Sequence, residues 1–161
     1  MKHVIFIISL LVLISCKDSE DKDLETNAGS IETTTLEHSN EEASNLYDNF
    51  WKGIIETNNG SKWQANAETN EGIEKMQELV KTHSTSSLEN YYQLASNLNT
   101  VKNKVVKECS MKGASHDNLH VWLLPLIDKI EALSEVKTME DAEKLKHSIE
   151  ENINAYSAYF K

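Results

Sequence analysis

The chain contains no arginine and few of the residues that break or cross-link a fold: among its 161 residues are one proline, five glycines and two cysteines. Without arginine it has no planar guanidinium group with which to clamp a phosphate or a carboxylate. Its sixteen basic residues are all lysines, and 26 acidic residues bring the formal net charge to -10 at pH 7. Because binding to a nucleic-acid backbone needs clustered cations, this balance argues against nucleic acid as a partner and favours the binding of cations.

The N-terminus carries a short apolar run, Val4–Ile14, behind the basic stub of residues 1–3. The run is too short to cross a bilayer as a helix, which takes ~20 residues, and it is typical of an export signal. The sequence Leu13-Ile14-Ser15-Cys16 resembles the lipobox of bacterial lipoproteins. That resemblance implies that Cys16 receives a lipid and becomes the first residue of the mature chain. The alternative is an ordinary secretory signal followed by a chance cysteine.

The resemblance divides the chain into a signal peptide (1–15), a lipidated cysteine with a flexible acidic tether (16–40) and a folded domain (41–161). Its implied partner is the membrane, through the lipid anchor at Cys16. The acidic run Lys17-Asp18-Ser19-Glu20-Asp21 resembles the surface-export signal of Bacteroidetes lipoproteins. We therefore expect a protein anchored to the cell envelope at the outer membrane. It lies either on the cell surface or on the periplasmic face of that membrane.

The folded domain is predicted to be all-α, because apolar residues recur at helical spacing throughout it. We expect an up-down four-helix bundle with an additional short N-terminal helix over 43–57. Pro125 should kink the third of the four bundle helices near Val121. The expected N-terminal caps of the five helices, in chain order, are Ser39-Asn40-Glu41-Glu42, Ser61-Lys62-Trp63-Gln64, Ser86-Ser87-Leu88-Glu89, Ser115 and Thr138.

One stretch, residues 109–120, concentrates groups that can carry chemistry: the thiol of Cys109, the thioether of Met111 and the imidazoles of His116 and His120. The two histidines are four residues apart, so they project from one face of a helix, and we expect that face to point into the bundle. Thiolate, thioether and imidazole are the ligands that copper or zinc would take. The alternative is that these side chains only pack in the core.

The bundle topology predicts which polar groups would lie beside such a metal site and orient its histidines. They come from the start of the second predicted helix and from the residue that follows His116. The expected groups are Asn66, Glu68, Asn70 and Asp117. His83 and His147 are predicted to lie elsewhere in the bundle and are not part of the site.

Two resemblances bear on these expectations. The stretches WQANAETNEGIEKM and ECSMKGASHDNLHVWLLPL are similar to blocks in small helical lipoproteins of Bacteroidetes. A helix ending in Cys109-x-Met111 also resembles the helical domains attached to periplasmic heavy-metal efflux adaptors, although Ser110 stands where that pattern has a proline. The second resemblance implies a metal-handling role.

Several motifs of enzymes and cofactor proteins are absent from the sequence. It contains no Cys-x-x-Cys-His for covalent haem, no glycine-rich phosphate loop for a nucleotide and no nucleophilic serine elbow, so we do not expect an enzyme. Two hypotheses remain: a lipid-anchored bundle that binds copper or zinc, and an interaction or ligand-binding module without a metal. The aromatic residues Tyr47, Phe50 and Trp51 are interpreted as core, with a docking face as the alternative.

Overall fold

The computed structural model describes residues 46–161, and this part of the chain is all-α. Its four helices are α1 (Ala67–Thr82), α2 (Leu88–Glu108), α3 (Ala114–Glu135) and α4 (Met139–Tyr159), and a 3-10 helix, Phe50–Gly53, precedes them. The signal, Cys16, the tether and the first capping pattern lie outside the described residues. Within residues 46–161 no helix has both the length and the hydropathy to cross a membrane.

The four helices form the predicted bundle. Each helix packs against its neighbour in the chain, and α1 also packs against α4, so that the four surround one core. The links between them are short, which makes chain neighbours antiparallel. The largest fully buried side chains of this core, drawn from all four helices and the C-terminal residues, include Trp122, Phe160, Ile73, Met76, Leu94, Leu98, Leu119, Leu126 and Ile149.

The helix starts agree only partly with the predicted caps. Thr138 caps α4 as expected, since its side chain accepts a hydrogen bond from the backbone N–H of Asp141. Helix α2 is capped by Ser87, whose hydroxyl accepts from the backbone N–H of Asn90, and not by Ser86. The N-cap of α3 is Gly113 at φ 61°, while Ser115 lies inside the first turn. Glycine serves there because other residues rarely adopt positive φ.

Helix α1 begins at Ala67, six residues after the predicted cap Ser61, because residues 63–65 form backbone hydrogen bonds with the C-terminal residues. The backbone N–H of Trp63 donates to the carbonyl of Tyr159 at 2.7 Å, and the carbonyl of Trp63 accepts from Lys161 at 3.0 Å. The N–H of Ala65 donates to the carbonyl of Lys161 at 2.9 Å. These bonds, which we call the clasp, hold residues 63–65 extended beside residues 159–161.

The predicted N-terminal helix over 43–57 is wrong for the described residues from Leu46 onward. The chain is α-helical only at Leu46 and Tyr47, forms the 3-10 helix at Phe50–Gly53 and then turns. The side chain of Asn49 accepts a hydrogen bond from the indole N–H of Trp51 at 2.9 Å, which favours a tight local turn over a regular helix. We call residues 46–56 the strap, because they lie against α3.

Candidate functional site

The loop that carries Cys109 is held by Asn66, the N-cap residue of α1. The amide of Asn66 donates to the carbonyl of Glu108 at 3.1 Å and to the carboxylate of Glu68 at 2.7 Å. Its carbonyl oxygen accepts from the hydroxyl of Thr69 at 2.8 Å and from the backbone N–H of Ser110 at 3.4 Å. Asn66 therefore ties the start of α1 to the end of α2, as the sequence predicted for its position.

Asn70 and Tyr156 lie beside this loop. The hydroxyl of Tyr156 donates to the side-chain oxygen of Asn70 at 2.8 Å, and its ring stacks on Phe160 with centroids 4.8 Å apart. Burial raises the pKa of Tyr156 well above its ordinary value, and a coulombic interaction with Cys109 raises it further. Cys109 is half-buried and forms no disulfide within residues 46–161. This end of the bundle thus holds a neutral phenol close to a free thiol.

The two histidines of the predicted metal site lie close together. Their ring centroids are 4.4 Å apart, and the ring planes are tilted by 53°. The expectation that both rings point into the bundle is wrong, because His116 is half-buried and His120 is exposed. The buried stripe of α3 passes through Leu119 and Trp122, and one residue further along a helix turns the side chain by about 100° away from that stripe.

The predicted ligands do not form one set in this conformation. Among residues 46–161, no three His, Cys, Asp or Glu side chains are grouped so that they could hold a metal ion. Met111 is half-buried and packs against the core. The thiol and the two imidazoles are therefore not brought together, and metal binding by these residues stays a prediction.

Of the four groups expected to orient the histidines, three are engaged elsewhere. Asn66 and Asn70 make the bonds given above, and Glu68 accepts from Asn66, a hydrogen bond that lowers the pKa of the Glu68 carboxyl. The side chain of Asp117 is exposed. In the described part of the chain, no hydrogen bond joins any of the four to His116 or His120. The sequence thus predicted the place of three of these groups without predicting their partners.

A polar site that the sequence analysis missed lies under the strap. Lys129 of α3 is fully buried, and its ammonium group donates to the side-chain oxygens of Asn49 at 2.6 Å and Asn152 at 3.3 Å. Asn49 in turn donates to Glu151 at 3.1 Å, which joins the strap to α4. Burial lowers the pKa of Lys129 to about 8. The sequence feature that could have revealed this site is a lysine within the apolar stripe of α3, between Leu126 and Leu133.

The strap and α3 together form an open groove of about 840 Å³. Three large apolar side chains in its lining are left in contact with solvent: Phe50 is 60% exposed, Ile54 67% and Leu124 54%. The interpretation of Tyr47 and Phe50 as core is wrong, and only Trp51 of that aromatic group is buried. The complete lining of the groove is Leu46, Asp48, Phe50, Trp51, Ile54, Val121, Leu124, Pro125 and Asp128.

The groove has the features of a binding surface. Scattered apolar residues are normal on a protein surface, but a contiguous apolar patch with a polar rim marks an interaction site. Its two walls come from different parts of the chain, and the hydrogen bonds of Lys129 and Asn49 fix the strap in place. No protein-family model, curated protein or solved structure matches this chain.

Proposed function

We propose that this protein is a lipid-anchored envelope protein whose helical bundle docks a partner protein. The observation that carries the proposal is the groove between the strap and α3, in which Phe50, Ile54 and Leu124 are exposed side by side. Burying such side chains is worth about 25 cal/mol per Å² of apolar surface, so a complementary partner would gain from covering them. The lipid anchor at Cys16, implied by the lipobox, would keep the bundle at the membrane where the partner is met.

A site-specific photo-cross-linker tests this function in cells of the natural host. A photoreactive amino acid is placed at Leu124 in the groove and, as the matched control, at Val106 of α2. The two side chains are similarly exposed, at 54% and 53%, but Val106 does not line the groove. We expect a discrete adduct from position 124, identified by mass spectrometry, and none from position 106. The same adducts from both positions, or none from position 124, would contradict a docking role for the groove.

The lipid anchor has a separate test. The full chain and a Cys16→Ser variant are expressed in a host that processes lipoproteins, and the mass of the purified protein is measured. We expect the mass of the full chain to fall by the signal peptide and to rise by the acyl groups, and the variant to remain unacylated. An unacylated wild-type chain would contradict the anchor and leave the groove proposal to stand on its cross-links.

Metal binding is the second candidate function, and the pairing of His116 with His120 favours it. Two imidazoles on successive turns, 4.4 Å apart, supply two of the four ligands that zinc takes at a structural site. Cys109 and Met111 would have to move toward them to complete the set. Copper or zinc would then join the end of α2 to the start of α3. The function of the protein would be metal handling at the envelope.

Titration of the full chain with Cu(I) or Zn²⁺ against a competing chelator tests the second function. We expect the variants His116→Ala and His120→Ala each to weaken the affinity by about tenfold or more. His147→Ala serves as the control, because His147 is exposed on α4 away from this pair. A variant pair Cys109→Ala and Met111→Leu reports whether sulfur takes part. Equal affinity in the wild type and in both histidine variants would remove this function.

A further inference from the structure

The charged residues in the lining of the groove are all acidic. Asp48 of the strap and Asp128 of α3 contribute carboxylates to it, and no lysine or histidine belongs to the lining. Two lysines lie nearby but outside the lining: Lys52 of the 3-10 helix is exposed, and Lys129 is buried beneath the strap within coulombic reach of Asp48. An occupant that covers the apolar side chains therefore places its own polar groups beside two negative charges. Charge complementarity favours cations at those positions.

The wall contributed by α3 runs along one face of that helix. Val121, Leu124, Pro125 and Asp128 occupy positions i, i+3, i+4 and i+7, so they lie along one face for about two turns, or roughly 10 Å. An amphipathic helix that lies in such a groove inserts apolar side chains with the same spacing. Its flanking residues then meet the acidic rim.

The two carboxylates disfavour three other possible occupants of the groove: the chain's own residues 16–45, a second copy of the protein and an anionic lipid surface. The chain's own residues 16–45 carry nine acidic residues and two lysines, so they would be repelled from Asp48 and Asp128. A second copy, paired through the same surface, would bring two more carboxylates into the interface and no cation from the lining. An anionic lipid surface would be repelled in the same way.

We propose that the groove binds an amphipathic helix of another protein, whose large apolar side chains are flanked by lysine or arginine. This inference rests on the proposed docking function and adds the chemistry of the partner. The apolar side chains of that helix cover Phe50, Ile54 and Leu124. Its cations pair with Asp48 and Asp128.

The test uses the full chain in nanodiscs of zwitterionic lipid and two fluorescent peptides of about four helical turns, or ~14 residues. Both peptides carry leucines at helical spacing; lysines flank the leucines in one peptide and glutamates in the other. Binding is followed by fluorescence anisotropy against empty nanodiscs. We expect saturable binding of the lysine peptide, and binding of the glutamate peptide that is weaker by about tenfold or more.

Variants assign the binding to the groove. Leu124→Glu should weaken the binding of the lysine peptide by about tenfold, and Val106→Glu, at a similarly exposed position outside the groove, should leave it unchanged. The pair Asp48→Asn and Asp128→Asn should weaken binding and reduce its salt dependence. Circular dichroism of each variant confirms that the bundle is folded.

The possible failures separate the two proposals. If both peptides bind equally and Leu124→Glu weakens both, the cationic partner is wrong, but the groove still docks apolar segments. If Leu124→Glu has no effect on the lysine peptide, the inference is overturned, and the cross-linking at position 124 decides the docking function separately. A cross-linked adduct of twice the chain's mass would identify a second copy as the occupant and would also overturn the inference.

Discussion

At the scale of single residues, Lys129 decides how the strap is attached. It is a fully buried cation whose two partners, Asn49 and Asn152, are neutral amides. A buried charge without a charged partner costs stability, even where hydrogen bonds satisfy it. This lysine lies at the point where the strap, α3 and α4 meet. The buried charge that lowers stability is therefore also the group that holds the strap, one wall of the groove, in place.

The protonation of Lys129 predicts how stability depends on pH. Its pKa is 10.5 ordinarily and about 8 in the folded protein, so between these values the unfolded state binds more protons at this side chain. The free energy of unfolding should therefore rise with pH from about 8 to 10.5, by at most about 3 kcal/mol. Urea unfolding of the wild type and of Lys129→Met, compared from pH 7 to pH 9.5, measures this rise as their difference.

The comparison has an internal control. Lys137→Met removes an exposed lysine and should leave the rise unchanged. Tyr156 acts with the opposite sign above pH 10, because its raised pKa keeps it protonated only in the folded state, and this is why the comparison stops at pH 9.5. A wild type and a Lys129→Met variant with the same pH dependence would contradict the role assigned to Lys129.

At the scale of secondary structure, the contact between α1 and α2 is set by Gly72. Gly72 is buried, and a methyl group at its Cα would overlap Cγ2 of Val105. Glycine in a helix interior costs about 1 kcal/mol relative to alanine, so its use here indicates that the closeness of the two helices outweighs helix propensity. The Val105 side chain fills the space that the missing side chain leaves.

A double-mutant cycle tests this packing. Gly72→Ala should lower the free energy of unfolding by about 1–3 kcal/mol through overpacking, despite the better helix propensity of alanine. Adding Val105→Ala should give a loss smaller than the sum of the single losses by about 1 kcal/mol or more, because the new methyl occupies the vacated space. Gly53→Ala is the control, since nothing lies within 4 Å of its would-be Cβ. Additive losses would contradict the close contact.

At the scale of the whole molecule, periodicity was enough to predict the bundle, because burial on α1 to α4 follows the helical spacing of apolar residues. Periodicity failed for the strap, where Asn49 makes long-range hydrogen bonds with Glu151 and Lys129 that no local pattern contains. It also failed for His120, which sits one position beyond a buried leucine and faces solvent. The groove could not be predicted for the same reason, since its walls are far apart in the sequence.

The clasp between residues 63–65 and 159–161 has a consequence for how the bundle opens locally. In most bundles the first and last helices fray independently, each from its own free end. Here the entry to α1 and the exit from α4 share backbone hydrogen bonds, and Phe160 is buried beside them. Loosening one end therefore releases the other, and hydrogen exchange of the amides on both sides of the clasp should report one common free energy of opening, as for one cooperative unit.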